Sequence, residues 1–313
     1  MEIQWYPGHM TKAKRQMQED LKLIDLIIEL IDARAPESSR NPDIRHMGEG
    51  KARLIILNKS DLADERANRE WKQFYTGQGE QVLAADSRKK TDLKQVQALV
   101  QEACREKIAR DARRGIKNRP VRAMVAGIPN VGKSTFINSV AGRASAKTGN
   151  KPGVTKGKQW IHLGRGLDLL DTPGILWPKF DDPEAGVRLA LIGSVKDELL
   201  NASELSLRLI GFLREAYPQI LAGRYHLEER GTDVQILEQI ARNRNCLAGG
   251  GEISYDKASA ILLDEFRKGV LGRLSLELPT GGSFRNGSFP DGEMCSPESG
   301  ADIENSGKQS SGN

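Results

Sequence analysis

The sequence predicts an α/β fold with a mostly parallel sheet, followed by a small all-α domain, and three observations carry that reading. Short apolar runs of strand character alternate with longer polar, helix-compatible stretches over the first 178 residues, the order expected of strands joined by crossovers. Three loops bearing glycine or aspartate each directly follow one of those runs. After Pro183 the apolar residues settle into three- and four-residue steps, the spacing of amphipathic helices.

The strand runs are Leu26–Ile31, Leu54–Leu57, Val121–Ala126 and Leu167–Leu170, with a shorter run at Val82–Ala84. Thr91–Arg114 carries Leu93, Val96, Leu99, Val100 and Ile108 at near-helical spacing and turns strongly basic towards its end. In the helical part Leu205, Leu207, Ile210 and Leu213 lead on to Ile236, Leu237 and Ile240, then to Ile261, Leu262 and Phe266. Beyond Pro279, glycine and serine make up 14 of 34 residues with only two aromatics, a composition that cannot bury a core. The expected division is therefore 1–178, 184–278 and a disordered, acidic Gly/Ser-rich tail at 279–313.

Charge and composition narrow the class. At 313 residues, 38% hydrophobic and 28% charged, the chain fits a soluble protein, and no apolar stretch nears the roughly 18 residues of a membrane span. The start, MEIQWYPGHMTKAKRQMQED, lacks the apolar region of a secretory signal, so a cytoplasmic location is expected. Cys104, Cys246 and Cys295 are too few and too scattered for a disulfide framework or a zinc site. The net charge of +5 divides into −3 on residues 280–313 and +8 on the rest. Such a basic body suits a polyanionic partner.

The motifs carry the chemistry. Gly127-Ile-Pro-Asn130-Val131-Gly132-Lys133-Ser134-Thr135 follows a strand and opens a helix, the setting of a phosphate-binding loop. Its backbone amides cradle phosphate oxygens, Lys133 neutralises them, and Ser134 ligates Mg²⁺. Asp171-Thr-Pro-Gly174 follows another strand, placing Asp171 near the metal and the Gly174 amide towards a γ-phosphate. Between them Lys151-Pro-Gly-Val-Thr155-Lys156 offers the Thr155 hydroxyl to Mg²⁺ and its amide to the same phosphate. Asn58-Lys59-Ser60-Asp61 selects the base, because the Asp61 carboxylate accepts from both N1–H and N2–H₂ of guanine and adenine lacks that pair. Asn58 braces the loops, the Lys59 stem packs over the base, and Ala85-Asp86-Ser87 supplies an amide to guanine O6.

An ordinary G protein places the phosphate loop first. Here the Asn58–Asp61 and Ala85–Ser87 loops precede it, which implies a circularly permuted P-loop GTPase domain with residues 88–120 as the connector. Trp5-Tyr-Pro-Gly-His9-Met10 and Asp32-Ala-Arg34-Ala-Pro36, taken with these motifs, resemble the ribosome biogenesis GTPase A family of bacteria, from residue 1 to about 278. That resemblance implies late assembly of the large (50S) ribosomal subunit or its precursor. It further implies contacts to ribosomal RNA and ribosomal proteins, release after GTP hydrolysis, and no DNA or membrane partner.

Ile175 stands where many GTPases carry a water-orienting glutamine. The resemblance is to the hydrophobic-substituted GTPases, slow alone and stimulated by the ribosomal particle. His9, in an expected Pro-Gly loop near the start of the chain, is the candidate to position water, the other reading being an RNA-contacting or capping histidine; Asn130 resembles the residue that holds K⁺ in potassium-stimulated relatives. The expected cofactors are GTP or GDP, Mg²⁺ and K⁺. An RNA-binding scaffold with structural guanine nucleotide and incidental hydrolysis is the alternative.

Overall fold

The computed structural model describes residues 8–116, 119–142, 159–164, 166–177, 182–195 and 201–279, with the side chains of 8–11 and 13 outside that description. The loop with Thr155 and the acidic tail from residue 280 therefore also lie outside it.

Six strands form one sheet: β1 (Leu26–Asp32), β2 (Ala52–Asn58), β3 (Gln81–Ala85), β4 (Val121–Ala126), β5 (Gln159–Leu163) and β6 (Leu167–Asp171). Their spatial order is β3-β2-β1-β4-β6-β5. Every neighbouring pair is parallel except β5 with β6. All seven residues of β1 are buried, as expected of a central strand covered on both faces. Helices α1 (Gly8–Leu21), α2 (Pro42–Met47), α3 (Glu65–Gly77), α4 (Val96–Ala103), α5 (Arg105–Arg113) and α6 (Lys133–Ala141) connect or flank the strands. The pleat of β2 sends Ile55 and Leu57 to Ala67, Trp71 and Tyr75 of α3. Leu54 and Ile56 join the main core with Val96 and Val100 of α4. Asp64 starts α3 by accepting from the amides of Arg66 and Ala67, which satisfies donors that have no intrahelical partner.

The structure differs from the sequence expectation in four places. The 91–114 helix is two helices, because Cys104 leaves the helical conformation (φ −101°, ψ 10°) between α4 and α5. Strand β5 was not expected; it is a short edge strand with Gln159 and His162 exposed, so its apolar alternation is weak. His9 lies in the first turn of α1 rather than in a loop.

The fourth difference lies at the C-terminal end. Helices α7 (Pro183–Leu191), α8 (Ala202–Ala216), α9 (Ile220–Tyr225), α10 (Asp233–Asn243) and α11 (Tyr255–Lys268) follow the sheet, with α8 packed against the other four. The side chains of Asp182, Asn201, Thr232 and Ser254 cap four of them. The helices stop at Gly269, which takes the left-handed conformation (φ 76°). From there the chain runs back to the sheet as an irregular strap instead of staying with the helices to 278. The Leu274 amide donates to Leu62 O at 3.0 Å and the Leu276 amide to Arg34 O at 2.7 Å. Leu271, Leu274 and Leu276 are buried, each contributing about 2 kcal/mol by leaving water.

Candidate functional site

The C-terminal ends of parallel strands gather the loops. Asp32 ends β1, Asn58 ends β2, Ala85 ends β3 and Asp171 ends β6, while Gly127 follows β4. Asn58 ties three of these loops into one body. Its Nδ2 donates to Val131 O at 2.7 Å, and its Oδ1 accepts from the Ser87 amide at 3.0 Å and the Ser87 hydroxyl at 2.7 Å. Gly132 makes that approach feasible: its φ is 99°, and a Cβ there would collide with Asn58 Nδ2.

The phosphate loop and the Asp171 loop meet at Lys133. The ammonium is buried and donates to Gly127 O at 3.0 Å and Ile128 O at 2.7 Å. A Cβ on Gly174 would sit 2.8 Å from Lys133 Nζ and 2.8 Å from Pro129, so only glycine lets that loop lie against the phosphate loop. Ser134 and Thr135 follow in the first turn of α6. Burial pulls the Lys133 ammonium down to about 8. Burial also pushes the Asp171 carboxyl up to about 6, against the pull of Lys133.

Two buried carboxylate oxygens at these loops, Asp61 Oδ1 and Asp171 Oδ1, have no hydrogen-bond partner among the described residues. An orphaned buried acceptor costs free energy and calls for a partner. The first lies on the loop proposed to read guanine donors; the second is a hard oxygen that fits Mg²⁺ or its bound water.

Several residues without an assigned role in the sequence belong to the site's frame. Arg88 donates to Asp61 Oδ2 at 2.5 Å and grips Asp86 through Nε and Nη2. Asp32 accepts from Arg34 Nε and Nη2 at 2.9 and 2.8 Å and pairs with Lys59 Nζ at 2.9 Å. Burial would raise the Asp32 carboxyl, but Arg34 and Lys59 outweigh it and hold the group well below the ordinary carboxylate range. Asn41 donates to Ile175 O at 2.9 Å. The sequence signal for this frame was the Asp32-Ala-Arg34 run, whose partners lie far along the chain. One expectation is not met: the Asp86 amide already donates to Asp92 and the Ser87 amide to Asn58, so neither is directed at guanine O6. Thr155 lies outside the described residues, as does the His9 side chain.

The family described as "50S ribosome-binding GTPase" matches residues 122–227, a stretch that starts on β4 and leaves Asn58–Asp61 outside. "Ribosome biogenesis GTPase A" of Bacillus cereus is 46% identical over 280 residues, 89% of this chain and 95% of that protein. The chain belongs to the ribosome biogenesis GTPase A family. The Thermotoga maritima member is 32% identical, across 88% of this chain and 95% of its own. The solved structure of GNP-bound YlqF from T. maritima superposes with a TM-score of 0.59 at 28% identity, covering 86% of this chain and 99% of that one. The fold is thus the circularly permuted GTPase fold of this family. Membership also makes the chain a GTP-binding enzyme that hydrolyses GTP. In a ribosome biogenesis GTPase of this type Ile175 is no water-orienting group; its side chain is buried. Among the described residues no helix is long and apolar enough to cross a membrane.

Proposed function

We propose that this GTPase acts in the cytoplasm on late maturation of the large (50S) ribosomal subunit, binding ribosomal RNA beside ribosomal proteins in its GTP state and leaving after hydrolysis. The observation that carries the reading is an uncovered basic helix, α5, at the edge of the sheet opposite the nucleotide loops, where Asp25 leads into β1 and Arg119 precedes β4. Arg110, Arg113 and Arg114 of α5 and its cap are exposed, whereas Lys107 and Arg119 are held by Asp25 and Asp111. The basic surface is therefore smaller than the residue count of that segment implies.

In this reading residues 1–178 form the nucleotide unit and 184–278 an RNA-binding unit, with the strap reaching back from the second to the first. Asn58, Lys59 and Asp61 bind the base; Asn130, Val131, Gly132, Lys133, Ser134, Thr135 and the Gly174 amide bind phosphates. Ser134, Thr155 and Asp171 hold Mg²⁺, which supplies charge neutralisation when bound. The Asn130 side-chain oxygen is the atom for K⁺, and His9 is the group proposed to orient water.

The test is co-sedimentation with large subunits or their precursors. Binding should be tighter with a non-hydrolysable GTP analogue than with GDP, and Thr155→Ala should shrink that difference while sparing GDP affinity. Log affinity should fall linearly with log salt, because arginine–phosphate contacts release counterions. Equal binding in both nucleotide states with a flat salt dependence would refute the reading. A scaffold with incidental hydrolysis is favoured by one observation, the buried Ile175; GTP turnover that subunits fail to stimulate would select it.

A further inference from the structure

Two nucleotide loops each contain one non-glycine residue in the left-handed conformation, Asn130 (φ 57°) and Lys59 (φ 58°). Asparagine tolerates this region and lysine seldom adopts it, so surrounding contacts must hold both in place. Each residue's side chain begins a chain of contacts leading out of the site, and both chains end on the same residue.

From the phosphate loop, Asn130 Nδ2 donates to Gly193 O at 2.7 Å, in the turn that follows α7. That turn is fixed at its root by Arg267 of α11, whose Nε donates to Leu191 O at 3.1 Å and Nη2 to Ala190 O at 2.9 Å. These are carbonyls at a helix C-terminus, where intrahelical partners run out. From the base loop, Lys59 pairs with Asp32, Asp32 with Arg34, and Arg34 Nη1 donates to Arg267 O at 3.2 Å. Arg34 is fully buried and its guanidinium lies over the Phe266 ring at 5.7 Å. Loss of the Arg267 side chain frees the α7 turn, whereas Arg34 rests on the Arg267 backbone carbonyl, whose position follows from how that end of α11 is anchored.

We propose that Arg267 is a positioning residue for guanine-nucleotide binding: from outside the site it holds Asn130 and Lys59, and with them the phosphate and base loops, in their strained, binding-competent backbone conformation. The proposal rests on the family's GTP binding and on no assumption about the ribosomal partner. By linkage, whatever moves Arg267 relative to the α7 turn shifts nucleotide affinity, and nucleotide binding shifts that contact by the same free energy.

The test compares GDP affinity, measured with a fluorescent GDP analogue, and melting temperature across Arg267→Ala, Arg267→Lys and Arg224→Ala. Arg224 pairs with Glu265 of the same helix at 2.8 and 2.9 Å and belongs to neither contact chain, so its loss destabilises α11 without touching the loops. Arg267→Ala should weaken GDP about tenfold, the scale of losing hydrogen bonds to a charged group. Arg267→Lys should fall between Arg267→Ala and wild type, since one ammonium reaches only part of that carbonyl pair. Arg224→Ala should keep GDP affinity within about twofold of wild type despite a lower melting temperature. Combining Arg267→Ala with Asn130→Ala should weaken GDP by less than the product of the single effects, because both act through one contact chain. GDP affinity within about twofold of wild type in Arg267→Ala, or equal weakening in Arg224→Ala, would overturn the proposal. If Arg267→Ala does not fold, Arg267→Lys is judged against Arg224→Ala by the same criteria.

Discussion

Replacing Asp61 by asparagine is expected to weaken GTP and GDP binding about a thousandfold while bringing xanthosine nucleotides into the site. A site built to hydrogen-bond a group loses this much when its buried polar atoms are mismatched. The carboxylate accepts at both oxygens and so matches guanine N1–H and N2–H₂; the carboxamide accepts at one atom and donates at the other. It then meets a guanine donor with its own N–H₂, whereas xanthine offers a C2 oxygen there. The structure sharpens the expectation, because Asp61 Oδ1 is buried with no partner among the described residues and Oδ2 bears the Arg88 guanidinium. Neutralising Asp61 strands Arg88 as well, leaving it to Asp86 alone. Competition of GTP and XTP against fluorescent GDP reads the outcome, and undiminished guanine affinity in the variant would show that the base is read elsewhere.

Asp171→Asn should stabilise the nucleotide-free protein while reducing Mg²⁺-dependent GTP turnover about a hundredfold, the scale of losing a carboxylate that orders a metal site. The Asp171 carboxyl is lifted from its ordinary 3.8 to about 6, so the folded state binds this proton more tightly than the unfolded chain. Stability is therefore lost as pH rises from 3.8 through 6, and above that window the cost is fully present, about 3 kcal/mol. That cost is already net of the pull of Lys133; asparagine removes it but buries an amide of its own, so a net gain of about 1–2 kcal/mol is expected, or a few degrees in melting temperature. The gain should be largest above pH 6 and shrink as pH falls towards 3.8. A variant that melts no higher than wild type at pH 7.5 would mean that burying the charged Asp171 carboxylate carries no net cost.

The parts of this site that were legible in the sequence are those whose chemistry is local. Gly132, Lys133 and Ser134 follow one another on a strand-to-helix turn, and Asn58 to Asp61 close a buried strand, so spacing and flanks suffice to read them. The bracing role of Asn58 follows from its residue type, but its partners Val131 and Ser87 appear only once β2, β3 and β4 stand side by side. Arg34 and Arg267 are bonded across 233 positions and Arg267 reaches α7 across 76 and 77, distances that leave no local pattern. Strand β5 escaped for another reason: an edge strand with a wet face needs few apolar residues, and Trp160 and Ile161 are adjacent rather than alternating. The strap escaped because the chain stays apolar through Leu271, Leu274 and Leu276, which reads as more of the helical domain although the left-handed Gly269 ends the last helix.

That strap bears on how the protein is made. Arg273 donates to Ala63 O and Ser60 O, and the Leu274 amide to Leu62 O, so the base-reading loop receives its backing from residues synthesised near the other end of the described chain. A polypeptide growing from its amino terminus produces that loop early, the phosphate loop much later and the backing only after helices α6 to α11. Contacts of such long sequence separation form late and slowly. A nascent or prematurely terminated chain would expose the Ser60, Leu62 and Ala63 carbonyls and grip guanine nucleotide poorly.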